Sequence, residues 1–393
     1  MFLKNKEVII ARSTVVTRVA PERAFLVAVV TKETKDRRSA EASIEELAQL
    51  TGTAGANVVG RLVQRLPVSS KTHYLGKGKL EELLAIKNSV NYDVVIFDDE
   101  LSPIQQRNLE EALEVKVIDR VALILDIFAK RARTHEGQLQ VELAQHQYLL
   151  PRLAGQWSHL ERLGGGIGTR GPGESQLETD RRLIRRKIHH LKAQIEEMRK
   201  HRALYRQKRN KSGIPVVALV GYTNSGKSTL LNALCQADVF TEAKLFATLD
   251  PTTRRLALPD EKTVLVTDTV GFIRKLPPTI ITAFRATLEE LDEAALLLHV
   301  VDLASPDAAE QCQTVENILS DLNLIDKPRV TALNKIDLLL SSDQNWNEET
   351  AANYLSDKSL DENTALISAI KKWGLAKLLE LISHTLSQTV YPV

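Results

Sequence analysis

The stretch that most constrains this chain is an eight-residue loop, Gly221-Tyr222-Thr223-Asn224-Ser225-Gly226-Lys227-Ser228. An unbroken apolar run, residues 214–220, precedes the loop, and residues 228–234 after it have helical spacing. A strand, a glycine-rich loop and a helix in this order form the setting in which backbone N–H groups surround the phosphates of a nucleotide. The pattern therefore predicts a parallel α/β domain with a phosphate-binding loop at the end of a buried strand.

Each residue type in the loop has a chemical reason. Gly221 and Gly226 let the chain turn tightly and bring its amides close to phosphate oxygens. Lys227 supplies a positive charge to the outer phosphates, and the Ser228 hydroxyl is a ligand for Mg²⁺, with Thr229 next to it in the helix. Asn224 matches a subgroup of such loops in which this side chain helps to hold K⁺; the alternative is a loop residue that bonds its own backbone.

Further motifs follow at the ends of later strands. Residues 264–267 form an apolar strand that ends in Asp268-Thr269-Val270-Gly271. The Asp268 carboxylate can hold Mg²⁺ through water, and the Gly271 amide can donate to a γ-phosphate. The sequence thus predicts the outer-phosphate half of a nucleotide site.

Two more motifs select the base. Strands at residues 296–301 and 329–333 lead to Asn334-Lys335-Ile336-Asp337, and a strand at residues 364–367 leads to Ser368-Ala369-Ile370. The Asp337 carboxylate can accept from N1–H and the 2-amino group of guanine together, whereas adenine would leave it unpaired. The backbone of residues 368–370 fits the loop that meets guanine O6. Together the motifs predict a GTPase domain over residues 213–393.

Residues 238–259 are expected to form switch I, a loop that GTP orders. Its central residues, which we expect to contact the nucleotide, are Phe246-Ala247-Thr248-Leu249-Asp250. We expect Thr248 to complete the Mg²⁺ shell and to act with Lys227 and Gly271 in catalysis, with Thr252 and Thr253 as alternatives. Phe272 stands where other GTPases carry the glutamine that orients water, so slow intrinsic hydrolysis is expected.

Residues 1–134 alternate between apolar runs and helical spacing, which predicts a small parallel sheet with flanking helices. Ser43 is the expected N-cap of the first helix. The loop Leu75-Gly76-Lys77-Gly78-Lys79, which precedes a later helix, is interpreted as an ordinary strand-to-helix turn, with a phosphate site as the alternative. We interpret Asp98 and Asp99 as structural.

Residues 135–212 predict an antiparallel helical hairpin. Apolar residues recur at spacings of three and four in two seams. The seams contain Leu139, Leu143, His146, Leu150, Leu153, Trp157 and Leu160, and then Leu177, Ile184, Ile188, Leu191, Ile195, Met198 and Tyr205. Between them, the glycine-rich residues 164–173 are expected to form a flexible basic tip.

Charge is distributed unevenly although the net charge is only +2. Residues 152–211 carry 16 Lys and Arg against 6 Asp and Glu, whereas residues 213–393 carry 15 against 24. A basic helical arm of this kind favours contact with RNA phosphates; a solvated helix face is the alternative. With two cysteines, no signal-peptide pattern and no apolar run of membrane-spanning length, we expect a cytoplasmic protein. We also expect it to act as a monomer.

With these residues placed, the chain resembles the HflX family of GTPases. The specific match is Gly164–Arg182, followed by the phosphate loop, the segment Phe246–Arg254 and Asp268–Ile273. The resemblance implies binding to the large ribosomal subunit and its rRNA, ribosome-stimulated GTP hydrolysis, and dissociation or rescue of stalled or idle ribosomes, notably under stress. In several members a further C-terminal domain contacts the ribosome. The sequence here departs from that pattern, and the resemblance therefore does not extend to this contact.

Two other functions fit parts of the sequence. One is an RNA-modifying GTPase whose N-terminal module carries separate chemistry, although the sequence offers no nucleophile–base set for it. The other is an RNA-unwinding ATPase with a second nucleotide site at Lys77 and Lys79.

Overall fold

The computed structural model contains a parallel sheet and a mostly parallel sheet, each flanked by helices, and a pair of packed helices between them in the chain. It describes residues 20–31, 37–153, 172–211, 213–235, 245–246, 248–275, 277, 280, 290–340, 346–355 and 361–389. The predicted seam residues Trp157 and Leu160, the glycine-rich residues 164–171, and Ala247 lie outside these ranges.

Strands and helices alternate in the N-terminal part, as the apolar runs predict. They are β1 (Arg23–Val30), α1 (Arg37–Ala54), β2 (Asn57–Arg65), α2 (Lys77–Val90), β3 (Val94–Phe97), α3 (Pro103–Leu113), β4 (Lys116–Asp119) and α4 (Arg120–Arg131). The strands form a parallel sheet in the order β2-β1-β3-β4. Successive side chains of a strand point to opposite faces, so this sheet needs helices on both sides. Leu26 packs in the core that α1 and α4 cover, and Val27 packs in the core that α2 and α3 cover.

The predicted N-cap at Ser43 is wrong. α1 begins at Arg37, so Ser43 lies inside the helix, where it is 4% exposed. Its hydroxyl donates instead to Asp98 Oδ2 at 2.7 Å. Ser102 does cap α3, through a capping box with Gln105. The two serines differ because Ser43 faces a buried carboxylate from another element, whereas Ser102 has only its own helix.

Two helices, α5 (His135–Leu149) and α6 (Pro172–Lys211), pack together and are called the arm below. Leu139 and Leu143 of α5 pack with Leu191 of α6. Glu136 pairs with Arg202 at 2.5 Å, and Glu142 pairs with Lys187 at 3.0 Å. The residue nearer the start of α5 pairs with the residue nearer the end of α6, so the two helices are antiparallel. α6 begins at Pro172, so residues 172 and 173 are helical and the predicted tip is two residues too long; proline suits a first helical position.

The second sheet contains six strands. The strands of this sheet and the helices between and after them are β5 (Val216–Val220), α7 (Lys227–Cys235), β6 (Thr252–Ala257), β7 (Thr263–Asp268), β8 (Leu296–Asp302), α8 (Ala308–Asp321), β9 (Arg329–Asn334), α9 (Glu348–Leu355), β10 (Thr364–Leu366) and α10 (Leu375–Thr389). The strand order is β10-β9-β8-β5-β7-β6, and only β6 is antiparallel to its neighbour. The predicted α/β class is confirmed. The carboxyl ends of β5, β7, β9 and β10 meet at one edge, where ligands bind in open parallel sheets.

None of the helices in the described ranges is both long enough and apolar enough to cross a membrane.

Candidate nucleotide-binding site

The loop between β5 and α7 requires its two glycines. Gly221 has a φ of +150°, and a Cβ on it would lie 2.3 Å from the carbonyl oxygen of Val300. Gly226 has a φ of +99°, and its Cβ would lie 2.3 Å from Asn334 Nδ2. Asn224 also has a positive φ, 61°, in the left-handed region that asparagine tolerates better than most residues. The loop is therefore held in a shape that few other sequences adopt.

Lys227 is buried at the first position of α7, 6% exposed. Its Nζ donates to the carbonyl oxygens of Gly221, at 3.2 Å, and Tyr222, at 2.8 Å. Burial lowers the pKa of Lys227 to about 8, against the opposing effect of Asp268. A Cβ on Gly271 would lie 2.9 Å from this Nζ and 2.6 Å from Thr223 Cα. A glycine at 271 thus lets the backbone after β7 approach the phosphate loop closely.

Ser228, Thr248 and Asp268 form a cluster of two hydroxyls and one carboxylate. Ser228 Oγ lies 2.6 Å from Asp268 Oδ2 and 2.8 Å from Thr248 Oγ1, and Thr248 Oγ1 lies 2.9 Å from Asp268 Oδ2. Burial raises the pKa of Asp268, partly offset by Ser228, Lys227 and Thr248. Asp268 Oδ1 is buried without a hydrogen-bond partner. Oxygen donors around a buried carboxylate fit Mg²⁺, which prefers such ligands.

The two alternative threonines lie elsewhere. Thr252 and Thr253 are the first residues of β6, paired with Asp268 and Thr267 of β7. Thr253 Oγ1 is 2.9 Å from Thr267 Oγ1. The structure therefore brings Thr248, and neither alternative, to Ser228.

Asn334 joins the phosphate loop to the loop after β10. Its Nδ2 donates to the carbonyl oxygen of Ser225 at 2.9 Å, and its Oδ1 accepts from the Ala369 amide at 3.0 Å. Lys335, with a φ of +66°, extends its Nζ to Asp302 at 2.7 Å. Asp337 lies in a short 3₁₀ helix, Ile336–Leu338.

The loop after β10 is closed by its own backbone. Ser368 is fully buried and exchanges two backbone hydrogen bonds with Trp373, whereas Ile370 is 72% exposed. The two base-reading motifs are therefore brought together, as their positions at adjacent strand ends require.

Several other residues predicted to bind the cofactor direct their side chains away from the phosphate loop. Phe246 packs edge-on against Phe128 of α4, with ring centroids 4.8 Å apart. Leu249 and Val270 are buried in the core under α1 and α4. Thr269 donates to the carbonyl oxygen of Leu219 at 2.5 Å. These residues fix the loops through contacts with neighbouring elements, leaving only their backbone for a nucleotide.

A buried ionic network that was not predicted from the sequence joins the N-terminal domain to the phosphate loop. Tyr222 donates from its hydroxyl to Glu46, and the same oxygen accepts from the Arg274 amide at 2.9 Å. Glu46 pairs with Arg120 at 2.5 Å, and Arg120 pairs with Asp98 at 2.6 Å.

Lys275 completes the network, with its Nζ 2.5 Å from both Asp98 and Asp99. Because Arg274 and Lys275 are only three and four residues after Gly271, the segment after β7 is tied to the N-terminal domain. The acidic residues after β3, Asp98-Asp99-Glu100, are the sequence signal that could have indicated this ionic network.

The loop that was predicted to end at Lys79 ends at Gly76, because Lys77, Gly78 and Lys79 are the first three residues of α2. The Gly76 amide at the start of α2 donates to Gln64 Oε1 at 2.9 Å, and Lys79 pairs with Glu82 at 2.6 Å. These contacts favour the interpretation as an ordinary turn.

A phosphate loop, a hydroxyl–carboxylate cluster and an Asn-Lys-x-Asp loop at neighbouring strand ends define a P-loop GTPase. Family models match the chain in three consecutive stretches. They are described as GTP-binding GTPase N-terminal (residues 41–129), GTP-binding GTPase Middle Region (131–209) and 50S ribosome-binding GTPase (216–335).

Curated relatives named GTPase HflX cover most of the chain. The protein from Caldanaerobacter subterraneus subsp. tengcongensis is 53% identical over 93% of this chain and 81% of its own length. The protein from Escherichia coli is 42% identical over 94% of this chain and 84% of its own. A solved GTP-binding protein from Sulfolobus solfataricus, in complex with GDP, aligns over 93% of this chain and 99% of its own, with 25% identity and a TM-score of 0.44. The chain belongs to the HflX family of GTPases, and the resemblance noted from its motifs is confirmed.

Proposed function

We propose that this GTPase binds the large ribosomal subunit, dissociates or rescues ribosomes, and hydrolyses GTP faster on the ribosome than alone. The observation that carries the proposal is the arm, whose root contacts the switch residues and whose long helix α6 exposes a row of cations. One family model describes residues 216–335 as a 50S ribosome-binding GTPase. Such work would place the protein in the cytoplasm, acting as a monomer.

We propose that residues 221–229 bind the phosphates and that Ser228 and Thr248 hold Mg²⁺ directly, with Asp268 holding it through water. Mg²⁺, when bound, neutralises charge that develops between the β- and γ-phosphates. Lys227 would leave the carbonyl oxygens of its own loop and donate to the phosphates. The Gly271 amide would donate to the γ-phosphate, and Asn224 would help to hold K⁺ beside the loop.

Base selection would rest on Asp337, which lies on the short helix that follows Lys335. Its carboxylate matches the paired donors of guanine, and the backbone of residues 368–370 would meet guanine O6. Asn334 supports this side of the site because its amide bridges Ser225 and Ala369. The observed position of the two loops, tied by one side chain, supports guanine as the base.

Hydrolysis without a partner would be slow because Phe272 carries no group that can orient water. Phe272 is 4% exposed, and its backbone bonds to Thr223 and Gly221 hold it against the phosphate loop. A group supplied by the ribosome, or a rearrangement of residues 268–275 on it, would therefore complete the site. This position of Phe272 supports the proposed stimulation by the ribosome.

The arm supplies the RNA-binding surface in this proposal. Cationic side chains on the outer face of α6 are exposed; they are Arg182, Arg185, Arg186, Lys192, Arg199 and Lys200. Leu139, Leu143 and Leu191 pack on the inner face and keep the helix rigid. Long cations on a rigid helix bind the phosphates of folded RNA in a salt-dependent manner.

The proposal is tested by measuring GTP hydrolysis with and without large ribosomal subunits. Stimulation by the subunits is expected, and an unchanged rate would contradict the proposal. Neutralising four arginines in the first half of α6 should weaken ribosome binding and flatten its salt dependence. The test set is Arg181, Arg182, Arg185 and Arg186, each changed to Gln.

The matched control removes the same number of surface cations from the N-terminal domain. The control set is Arg61, Arg107, Lys116 and Lys130, each of which forms an exposed ion pair. Equal losses in the two sets would show that only total charge matters and would remove the arm from the binding surface.

A further inference from the structure

Three consecutive residues of switch I contact three different parts of the molecule. Thr248 lies in the hydroxyl–carboxylate cluster, 2.8 Å from Ser228 Oγ. Leu249 is 6% exposed in the core under α1 and α4. Asp250 contacts the start of α5, the first helix of the arm. The hydroxyl–carboxylate cluster and the contact with the arm are thus separated along the chain by a single buried residue, Leu249.

Asp250 holds Thr134, the N-cap residue of α5, in place. Its Oδ2 accepts from the amides of Arg133, at 2.8 Å, and Thr134, at 3.0 Å, and its Oδ1 accepts from the Thr134 hydroxyl at 2.5 Å. The same Thr134 oxygen accepts from the Gly137 amide at 3.0 Å, as an N-cap does. The negative charge also suits the positive end of the helix dipole. The arm and switch I therefore share one hydrogen-bond chain.

Gly137 shows how closely the two elements approach. A Cβ on Gly137 would lie 2.4 Å from Asp250 Oδ1 and 3.0 Å from Thr134 Oγ1. Gly137 is the third residue of α5, a position where alanine would favour the helix by up to about 1 kcal/mol. The space that the missing methyl group leaves is occupied by the Asp250 carboxylate.

From these contacts we infer that Asp250 is a positioning residue for GTP binding and hydrolysis. By holding the start of α5, it keeps Thr248 beside Ser228 and Asp268. Because coupling between two sites is reciprocal, nucleotide that engages Thr248 also holds the root of the arm. The inference rests on the proposed role of Thr248 toward Mg²⁺. It adds the physical connection by which the arm senses GTP.

Gly137→Ala tests the connection from the arm side, with no change in any residue of the nucleotide site. The affinities for GDP and for the analogue GMPPNP, both with Mg²⁺, are measured by titration. We expect GMPPNP affinity to fall roughly five- to tenfold, the size of a lost helix cap, and GDP affinity to change less than about twofold. Unchanged GMPPNP affinity, or equal losses for both nucleotides, would overturn the inference.

The matched control is Gly78→Ala. Gly78 is the second residue of α2, where a Cβ would meet nothing within 4 Å. Both nucleotide affinities should remain unchanged in this variant. A GMPPNP loss as large as that of Gly137→Ala would mean that the effect does not pass through Asp250.

Hydrogen exchange provides a readout that does not depend on activity. In the wild-type chain the amides of Arg133 and Thr134 should exchange more slowly with GMPPNP than with GDP, and Asp250→Ala should abolish that difference. Persistence of the difference in Asp250→Ala would contradict the inference.

Thr248→Ala separates the inference from the proposed function. If Thr248→Ala leaves GMPPNP affinity unchanged, the proposed metal ligand is wrong, and the inference falls with it. If Thr248→Ala weakens GMPPNP binding but Gly137→Ala and Asp250→Ala do not, the metal ligand stands and only the connection to the arm is wrong.

Discussion

Replacing Arg120 with methionine should destabilise the protein strongly. The Arg120 side chain is 1% exposed at the contact between the N-terminal domain and residues 274–275. Its guanidinium donates to Asp98 at 2.6 and 3.2 Å, to Glu46 at 2.5 Å and to the Ser43 carbonyl oxygen at 3.0 Å. Methionine would fill much of the space but leave two buried carboxylates without their main partner. Removing one partner of a buried ion pair costs about 3–5 kcal/mol, which sets the expected loss in free energy of unfolding.

The pH dependence of stability gives a second expected magnitude, the contribution of Asp98 to the free energy of unfolding. Burial acts to raise the pKa of Asp98, but Arg120 and Lys275 outweigh it and hold the pKa near 2, below the ordinary 3.8. A carboxylate with a depressed folded pKa adds stability above its unfolded pKa and loses it as the pH falls toward the folded value. For Asp98 that contribution is about 2 kcal/mol, lost between roughly pH 4 and pH 2. In Arg120→Met the pKa of Asp98 rises, so acid unfolding should begin at a higher pH.

The assay is urea denaturation followed by circular dichroism at pH 7, together with an acid titration. The control is Arg107→Met on α3, which removes an exposed pair with Glu111 at 3.0 Å. Exposed pairs contribute at most about 1 kcal/mol, so the control should change little. If Arg120→Met loses no more free energy of unfolding than the control, or if the pH midpoint of its acid unfolding does not change, the buried ion pairs of Arg120 do not stabilise the fold as proposed.

Three further predictions concern the nucleotide site. Asp337→Asn should shift preference from GTP to xanthosine triphosphate, measured by competition binding; unchanged specificity would show that Asp337 does not read the base. Gly271→Ala should reduce GTP hydrolysis about 100-fold, since its Cβ would lie 2.6 Å from Thr223 Cα and its amide would shift from the γ-phosphate. GDP affinity should fall far less, and an equal fall would place Gly271 outside the γ-phosphate contact. Asn224→Ala should abolish any difference in hydrolysis rate between K⁺ and Na⁺ buffers, and a difference that survives would exclude Asn224 as a K⁺ ligand.

The sequence predicted those parts of the fold that short-range patterns specify. Apolar runs located β1, β3, β5 and β8 because strands buried on both faces need continuous apolar side chains. β6 was missed because its residues, Thr252–Ala257, lack such a run and lie at the edge of the sheet. The start of α1 was missed because Ser43 resembles a local cap, while its actual partner, Asp98, is 55 residues away.

The same distinction applies to the candidate site. The phosphate loop and the base-reading loops could be placed from sequence because each is a short motif at a strand end. Contacts between domains could not, since Glu46 and Tyr222 are 176 residues apart and Thr134 and Asp250 are 116 apart. No periodicity or motif links residues at such separations. Through these contacts, residues between 248 and 275 pack against the N-terminal domain and also line the candidate nucleotide site.

We propose that the guanine nucleotide controls whether the arm binds RNA. Co-sedimentation with large ribosomal subunits measures this binding directly. The protein would be mixed with subunits in the presence of GMPPNP, of GDP or of no nucleotide, at two salt concentrations. Strong, salt-sensitive binding is expected with GMPPNP, and much weaker binding with GDP or without nucleotide. Equal binding in all three states would contradict the proposal.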